Sequence, residues 1–403
     1  MSVSPTSASA SAGEILELVR SGRATTRRDV QEQTGLSRST LALRMSQLIA
    51  AGFVRESGQA AASTGRPARI LSFDEARQLV LSVDIGATHA NLALLDAGSQ
   101  VIMKAQAEID ISLAPEVTFR GLARKLTELI QRSGRPLSEV VGVGVGIPAP
   151  VRFSSQRPNY PPLMPAWHDF PIADALGAHL GIPVFVDNDA NLMGLGEARQ
   201  RYPDAPSLLF VKVGTGIGAG IILHGQPERG IAGGAGDIGH IRVNDSPDAH
   251  RCTCGAYGCL ATEASGGSIA RTLREEGRDV ASAAEVSRLV AGGDPRAVAL
   301  TERAGRMLGD VLATSVALLN PSVLVIGGIM AGQSSVLVDA VRDRVFERTV
   351  PLATRELFIA TSALGTDAAI HGATHMVIDQ TFSARAVDAR LQAGRPENAG
   401  AIA

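Results

Sequence analysis

The sequence predicts an α/β protein: an N-terminal all-α winged helix-turn-helix head, followed by a body of two α/β lobes. Three observations lead there. Aromatic residues make up only 3% of the 403 residues and glycines number 43, so aliphatic side chains fill the core and tight strand-to-helix turns are plentiful. Two strand–glycine turn–strand units, LVLSVDIGATHANLALLD at 79–96 and LLFVKVGTGIGAGIILHGQ at 208–226, stand far apart and share one design. Three capped helical patterns precede both.

Residues 1–11 are expected to be flexible, and the head occupies 12–75. GEILELVRSG places Ile15, Leu18 and Val19 on one helical face. In TTRRDV, Thr26 caps a second helix with Asp29 completing a capping box, and Gly35 stops it. Ser37 caps a third helix, with Leu41, Met45, Leu48 and Ile49 inward. Ser39, Thr40, Leu43 and Gln47 face out, and Arg44 lies at the border. Two β-prone runs around 53–56 and 69–72 flank a small-residue loop, as a winged hairpin does.

A helix, a tight turn and a second helix with short polar residues near its start form the helix-turn-helix pattern, whose second helix enters the major groove. Ser39 and Thr40 admit close approach to bases, and Leu43 suits a thymine methyl. Arg27, Arg28, Arg38 and Arg44 suit phosphates; Arg66 and Arg69 suit the backbone or minor groove. Residues 1–71 carry nine arginines against five acids, a net +4 in a chain whose formal charge is −2. The expected partner is double-stranded DNA. A plain three-helix protein-interaction module is the alternative.

The body spans 76–385. Asp84 ends its first strand, with Gly86 and Thr88 in the turn that follows; GTGIG supplies Gly214, Thr215 and Gly216. Such turns bring backbone N–H groups to phosphate oxygens, and Asp84 would lie near the accompanying metal. In IPVFVDNDANLMGLGEA a buried strand runs into Asn188 and Asp189 before a helix. A carboxylate there either takes a proton from a substrate hydroxyl or merely caps the helix.

CTCGAYGC, 252–259, holds all three cysteines. Their spacing favours zinc, with His240 of GGAGDIGH or the nearer His250 as the fourth ligand. Four protein ligands leave no open position, so Zn2+ would be structural, shaping a loop at 240–260. No apolar run is long enough to span a membrane and no secretory signal opens the chain, so a cytoplasmic protein without a membrane partner is expected. Residues 386–403 turn small and polar and are expected to be disordered.

With DIGATH, GIPAPV (146–151), VDNDAN, GTGIGAGI, GDIGH, CTCGAYGC and VIGG in this order, the chain resembles the ROK family of repressors, open reading frames and sugar kinases from about residue 12 to 378. The resemblance implies a two-lobed actin-like/hexokinase-like ATPase fold. It places the kinases' catalytic base on Asp189 and a contact to sugar hydroxyls on Asn188. It places a sugar-binding acid on Asp237, and a residue holding both zinc and sugar on His240, with Cys252, Cys254 and Cys259 completing the metal site. Asp84, Gly86, Thr88, Gly214, Thr215 and Gly216 correspond to phosphate-binding segments.

The chain departs from the kinase pattern in three places. Asp237 is one methylene shorter than the usual Glu, Ala261 replaces another Glu, and GATH stands for GGTK. The N-terminal head marks the regulator branch. The resemblance therefore implies a regulator of sugar metabolism, binding operator DNA and a sugar or sugar-phosphate effector, as a homodimer or homotetramer. The alternative is a glucokinase-like, ATP-dependent sugar kinase using Mg-ATP and Asp189. A scaffold that docks a transport or signalling protein is a third reading.

Overall fold

A computed structural model describes residues 10–58 and 69–393. The head is built from local capping. Ser11 and Glu14 form a capping box on α1 (Ala12–Arg20). Thr26 and Asp29 do the same for α2 (Arg27–Thr34), which Gly35 ends in the left-handed region at φ 67°. Ser37 caps α3 (Arg38–Ala50), and β1 (Val54–Ser57) pairs antiparallel with β2 (Ile70–Phe73). Ile15, Leu18, Val19, Leu41, Met45 and Leu48 are buried as expected, and Leu16 joins them. Ile49 does not: it is 37% exposed, because it sits about 80° round the helix from Leu41 in the last turn, beyond the packed stripe. Arg66 lies outside the described residues.

The first body sheet contains β3 (Leu79–Ile85), β4 (His89–Asp96), β5 (Val101–Glu108), β6 (Val140–Ile147) and β9 (Val184–Asn188), with a small hairpin, β7 (Val151–Arg152) and β8 (Arg157–Pro158), inserted before β9. Its order is β5-β4-β3-β6-β9. The second sheet contains β10 (Ser207–Val213), β11 (Ile217–Leu223), β12 (Gln226–Glu228), β13 (Val323–Gly327) and β14 (Phe358–Thr361), in the order β12-β11-β10-β13-β14. Each sheet is an antiparallel ribbon of three strands extended by two parallel ones. The repeated glycine-turn unit thus seeds the same topology twice. Helices α4 (Pro115–Ser133) and α5 (Ile172–Leu180) flank the first sheet. In the second lobe α7 (Leu260–Ala264), α8 (Gly266–Glu275), α9 (Ala283–Ala291), α10 (Pro295–Leu319), α11 (Val336–Arg348) and α12 (Pro351–Thr354) surround the core.

Two helices exchange lobes. Helix α6 (Asp189–Gln200) leaves the first sheet and packs on β10 and β11 of the second; α13 (Ala368–Thr381) leaves the second and packs on β3 and β6 of the first. They cross each other at glycines. A Cβ on Gly372 would overlap the Leu192 carbonyl oxygen, and one on Gly196 would overlap that of Ala368. Only glycine lets the two backbones approach so closely.

The C-terminal helix α14 (Ala384–Ala393) corrects the expectation of disorder from 386 onward, at least to residue 393. The cause is a core that a local reading cannot see. Val387 is fully buried, and Phe382 packs edge-on against Phe53 and Phe73 of the head. Asp388 Oδ1 accepts from Gly13 N at 2.9 Å, and the Arg390 guanidinium lies 5.0 Å from the Phe53 ring. The head therefore shares its hydrophobic core with the end of the chain. One carboxylate adds a polar tie: Asp379 on α13 accepts from Arg20 of α1 at 3.0 Å and from Arg199 of α6 at 2.8 Å. Nearby His375 is kept neutral, its pKa lowered to about 4 by burial and by the Arg199 charge.

Gly372→Ala is expected to lower unfolding stability by about 3 kcal/mol or more through overpacking at the crossing. Urea denaturation followed by circular dichroism measures it, and a change below about 1 kcal/mol would mean that the helices separate at little cost.

Candidate functional site

Asp84, Asp189 and Lys212 come together where the lobes face each other. Asp84 lies near the end of β3, paired with Gly146 of β6. A Cβ on Gly146 would stand 3.5 Å from Asp84 Oδ1 and 3.7 Å from Asp189 Cα, so this glycine keeps the two acids adjacent. Asn188, not Asp189, caps α6: its Oδ1 accepts from Ala190 N and Asn191 N at 2.9 and 3.2 Å, while its Nδ2 donates to Ala149 O at 3.1 Å. Both ends of the Asn188 amide are therefore engaged within the protein. Asp189 is 4% exposed and is left to face the second lobe.

There it meets Lys212 of β10, whose Nζ donates to Asp189 Oδ2 at 2.5 Å. The sequence reading passed over this lysine; the available signal was a cation inside the otherwise apolar run LLFVKV. Burial pushes the Asp84 carboxyl up to about 6, with Lys212 opposing and Asp189 adding to the shift. Burial alone would lower the Lys212 ammonium, but the Asp189 and Asp84 charges outweigh it and hold it above its ordinary value. Below this group the lobes are pinned again: Arg229 Nε donates to the buried Asp187 at 2.7 Å, and its guanidinium lies 3.7 Å from the Phe153 ring centroid.

The cysteine loop gathers a second cluster. Ligand atoms of His240, Cys252, Cys254 and Cys259 all lie within 4.8 Å of one another. Cys254 Sγ and Cys259 Sγ are 3.7 Å apart, and Cys252 Sγ is 3.4 Å from His240 Nδ1. A tetrahedral ion with Zn–S and Zn–N bonds of ordinary length sets these separations at about 3.8 and 3.5 Å. The donor types and these two spacings fit such an ion, with the widest pair, within 4.8 Å, needing only to draw in. His250 lies elsewhere, its Nε2 3.8 Å from Glu275 Oε1. Burial and the neighbouring thiols push Cys259 up to about 12, a burden that a bound cation removes. Because His240 Nδ1 faces the sulfurs, its Nε2 remains on the side of Asp237, 3.9 Å from Oδ1.

The remaining expected residues are distributed as follows. Gly86 N donates to His89 O at 2.8 Å and Gly214 N to Gly216 O at 2.9 Å, closing two tight turns on which Thr88 and Thr215 are exposed. Ala261 Cβ would lie 3.6 Å from a Cβ on Gly239, so it abuts the GDIGH loop. Glu263 Oε1 is buried without a protein partner. On the head, Arg28, Arg38, Ser39, Leu43 and Arg69 are exposed and Thr40 is half-buried. Arg27 is tied to Glu56 at 2.6 Å and Arg28 to Glu32 at 2.7 Å. Arg44 differs from the outward arginines. It borders a cavity of about 220 Å³ between α1, α3 and α14, and its Nη1 is buried and unpartnered. Among the described residues no helix is long and apolar enough to cross a membrane.

The ROK family model matches residues 80–380. A putative xylose repressor from Caldicellulosiruptor sp. (strain Rt8B.4) is 28% identical over 384 residues, covering 92% of this chain and 95% of the relative. A glucokinase from Halalkalibacterium halodurans is 29% identical over 324 residues, 75% of this chain and 96% of the relative. Among solved structures, a ROK family transcriptional regulator described as a homolog of the E. coli MLC protein superposes with a TM-score of 0.79 at 25% identity, over 95% of this chain and 98% of its own.

The Asp84 shift sets a pH dependence. Its carboxyl pKa is raised in the folded state from 3.8 to about 6. The associated stability is therefore complete below about pH 4 and is lost as pH rises through about 6. Asp84→Asn, neutral throughout, is expected to melt increasingly above the wild type from about pH 4 to about pH 7, the gap levelling off above that. Melting curves across that range check this, and a gap that stays constant would mean that Asp84 titrates as an ordinary surface acid.

Proposed function

The chain belongs to the ROK family, and on that premise we propose that it is a sugar-responsive transcription regulator. The observation that carries the reading is one of extent. The repressor relative spans the head as well as the body, at 92% of this chain, whereas the glucokinase relative spends nearly its whole length on 75% of it. The N-terminal helices and hairpin are thus an addition that kinases of this size do without. In this reading the head is a winged helix-turn-helix on operator DNA. Helix α3 enters the major groove, with Ser39, Thr40 and Leu43 toward bases and Arg28 and Arg38 toward phosphates. Arg27 and Arg69, shared with Glu56, sit at the edge of the contact, and Arg44 serves the packing of α14 more than the DNA.

A sugar or sugar derivative occupies the seam between the lobes, reached by Asp237 and His240 Nε2. The four-ligand cluster holds a structural Zn2+, which fixes the GDIGH loop and leaves no coordination position for a water. Coordination through Nδ1 keeps the other nitrogen a fixed hydrogen-bond donor toward the ligand. Ligand-driven closure would move α6 against α13, and through Asp379 and α14 change the setting of the head. The ligand must therefore prefer one lobe arrangement. A dimer would place two heads on a twofold operator about one helical turn apart. The second reading, a glucokinase-like sugar kinase, is supported by Asp189 at the start of α6 and by the GTGIG turn.

Arg38→Ala is expected to weaken binding to the DNA upstream of the protein's own gene about fivefold to tenfold. It should also flatten the salt dependence by about one unit of slope. Fluorescence anisotropy at several salt concentrations measures both; absence of wild-type binding to genomic fragments at moderate salt would overturn the reading. For the metal, His240→Ala should weaken zinc by about 100-fold or more. Elemental analysis showing full zinc in that variant would remove His240 from the ligand set.

A further inference from the structure

Lys212 is a cation where the surrounding pattern asks for an apolar or small residue. Val211 and Val213 on either side are buried, and the strand leads directly into the GTGIG turn. Its ammonium crosses from the second lobe to the first and donates to Asp189 Oδ2 at 2.5 Å. Asp84, adjacent to Asp189 across Gly146, feels the same charge. Two carboxylates converging beside a glycine turn are what a nucleotide's divalent cation requires. In this chain the protein's own ammonium is bonded to Asp189 and bears on Asp84 through its charge, so the residues do not fit an added metal.

We propose that Lys212 is a tethered cation standing in place of a divalent metal between Asp84 and Asp189, so that the seam takes a neutral polyhydroxyl ligand without a metal–nucleotide and transfers no phosphoryl group to it. Three physical consequences follow. A divalent ion brought between these acids would face the ammonium at close range in a partly dry setting, where like charges repel strongly. The Asp189 oxygen that would accept a hydroxyl proton is instead bound to a charged donor, which makes it a weaker base. Two acids and one ammonium leave no positive surplus to attract a phosphate, so an uncharged ligand is favoured over an anionic one. The choice of a sugar as occupant rests on the reading above; the role of the lysine does not.

Manganese tests the lysine alone. The zinc-loaded full chain is titrated with Mn2+ and free ion is followed by electron paramagnetic resonance. Wild type is expected to bind none. Lys212→Met should bind one Mn2+ per chain with a Kd of about 1 mM or tighter. Lys212→Arg, which keeps the charge, should bind none, and Lys212→Met combined with Asp84→Asn should lose the gained site. Should Lys212→Met fail to fold by circular dichroism, Lys212→Gln is carried through the same titration. Wild-type Mn2+ binding abolished by Asp84→Asn would overturn the proposal. So would a folded, uncharged Lys212 variant that gains no ion. ADP release from Mg-ATP and a hexose by wild type, lost in Asp189→Asn, would overturn it as well.

Discussion

The crossing of α6 and α13 is the constraint on which the rest of the molecule depends. Each helix starts from the last strand of one lobe and covers the sheet of the other. Neither lobe can close its core without its partner's helix, and the two helices meet where glycine removes the side chain from each backbone. Packed interiors transmit displacement instead of absorbing it. A change at the start of α6, where Asp189 and its cap Asn188 lie, is therefore felt along α13.

That connection extends to both chain termini. Asp379 near the end of α13 holds Arg199 of α6 and Arg20 of α1 through its two oxygens. The shared aromatic cluster of Phe53, Phe73 and Phe382 then joins α14 to the head. The head is seated on the body by a buried core, and a regulator that works through its head needs such a seat. A half-buried carboxylate between two arginines is a place where modest movement changes pairing, and so a suitable element for coupling.

The seam carries two chemically distinct ends. One is the Asp84–Lys212–Asp189 group, contributed by both lobes. The other is the GDIGH loop, whose His240 lies beside the cysteine cluster. The first pairs an ammonium with Asp189 and brings its charge to bear on the neighbouring Asp84. The second turns the His240 Nδ1 toward the cysteines and leaves its Nε2 on the side of Asp237. Both ends lie where the lobes meet, so a ligand placed there would touch groups from each lobe.

Much of this was decided by the sequence. The capping residues Thr26, Asp29, Gly35 and Ser37, the two glycine-turn ribbons and the cysteine spacing act within a few residues, so their outcome is visible locally. The order of motifs was sufficient to place the family. Other features required the folded chain. Lys212 stands out locally only as a cation in an apolar run, and its partner Asp189 becomes visible only when a strand from one lobe meets a helix from the other. Spacing alone leaves His240 and His250 both open, the family motif points to His240, and in the folded loop it is His240 that reaches the sulfurs. The residues after 385 look like a polar tail until Val387 and the neighbouring Phe382 find the head's core. In each case the deciding contact joins segments distant in sequence, and burial and charge pairing of that kind are properties of the assembled structure alone.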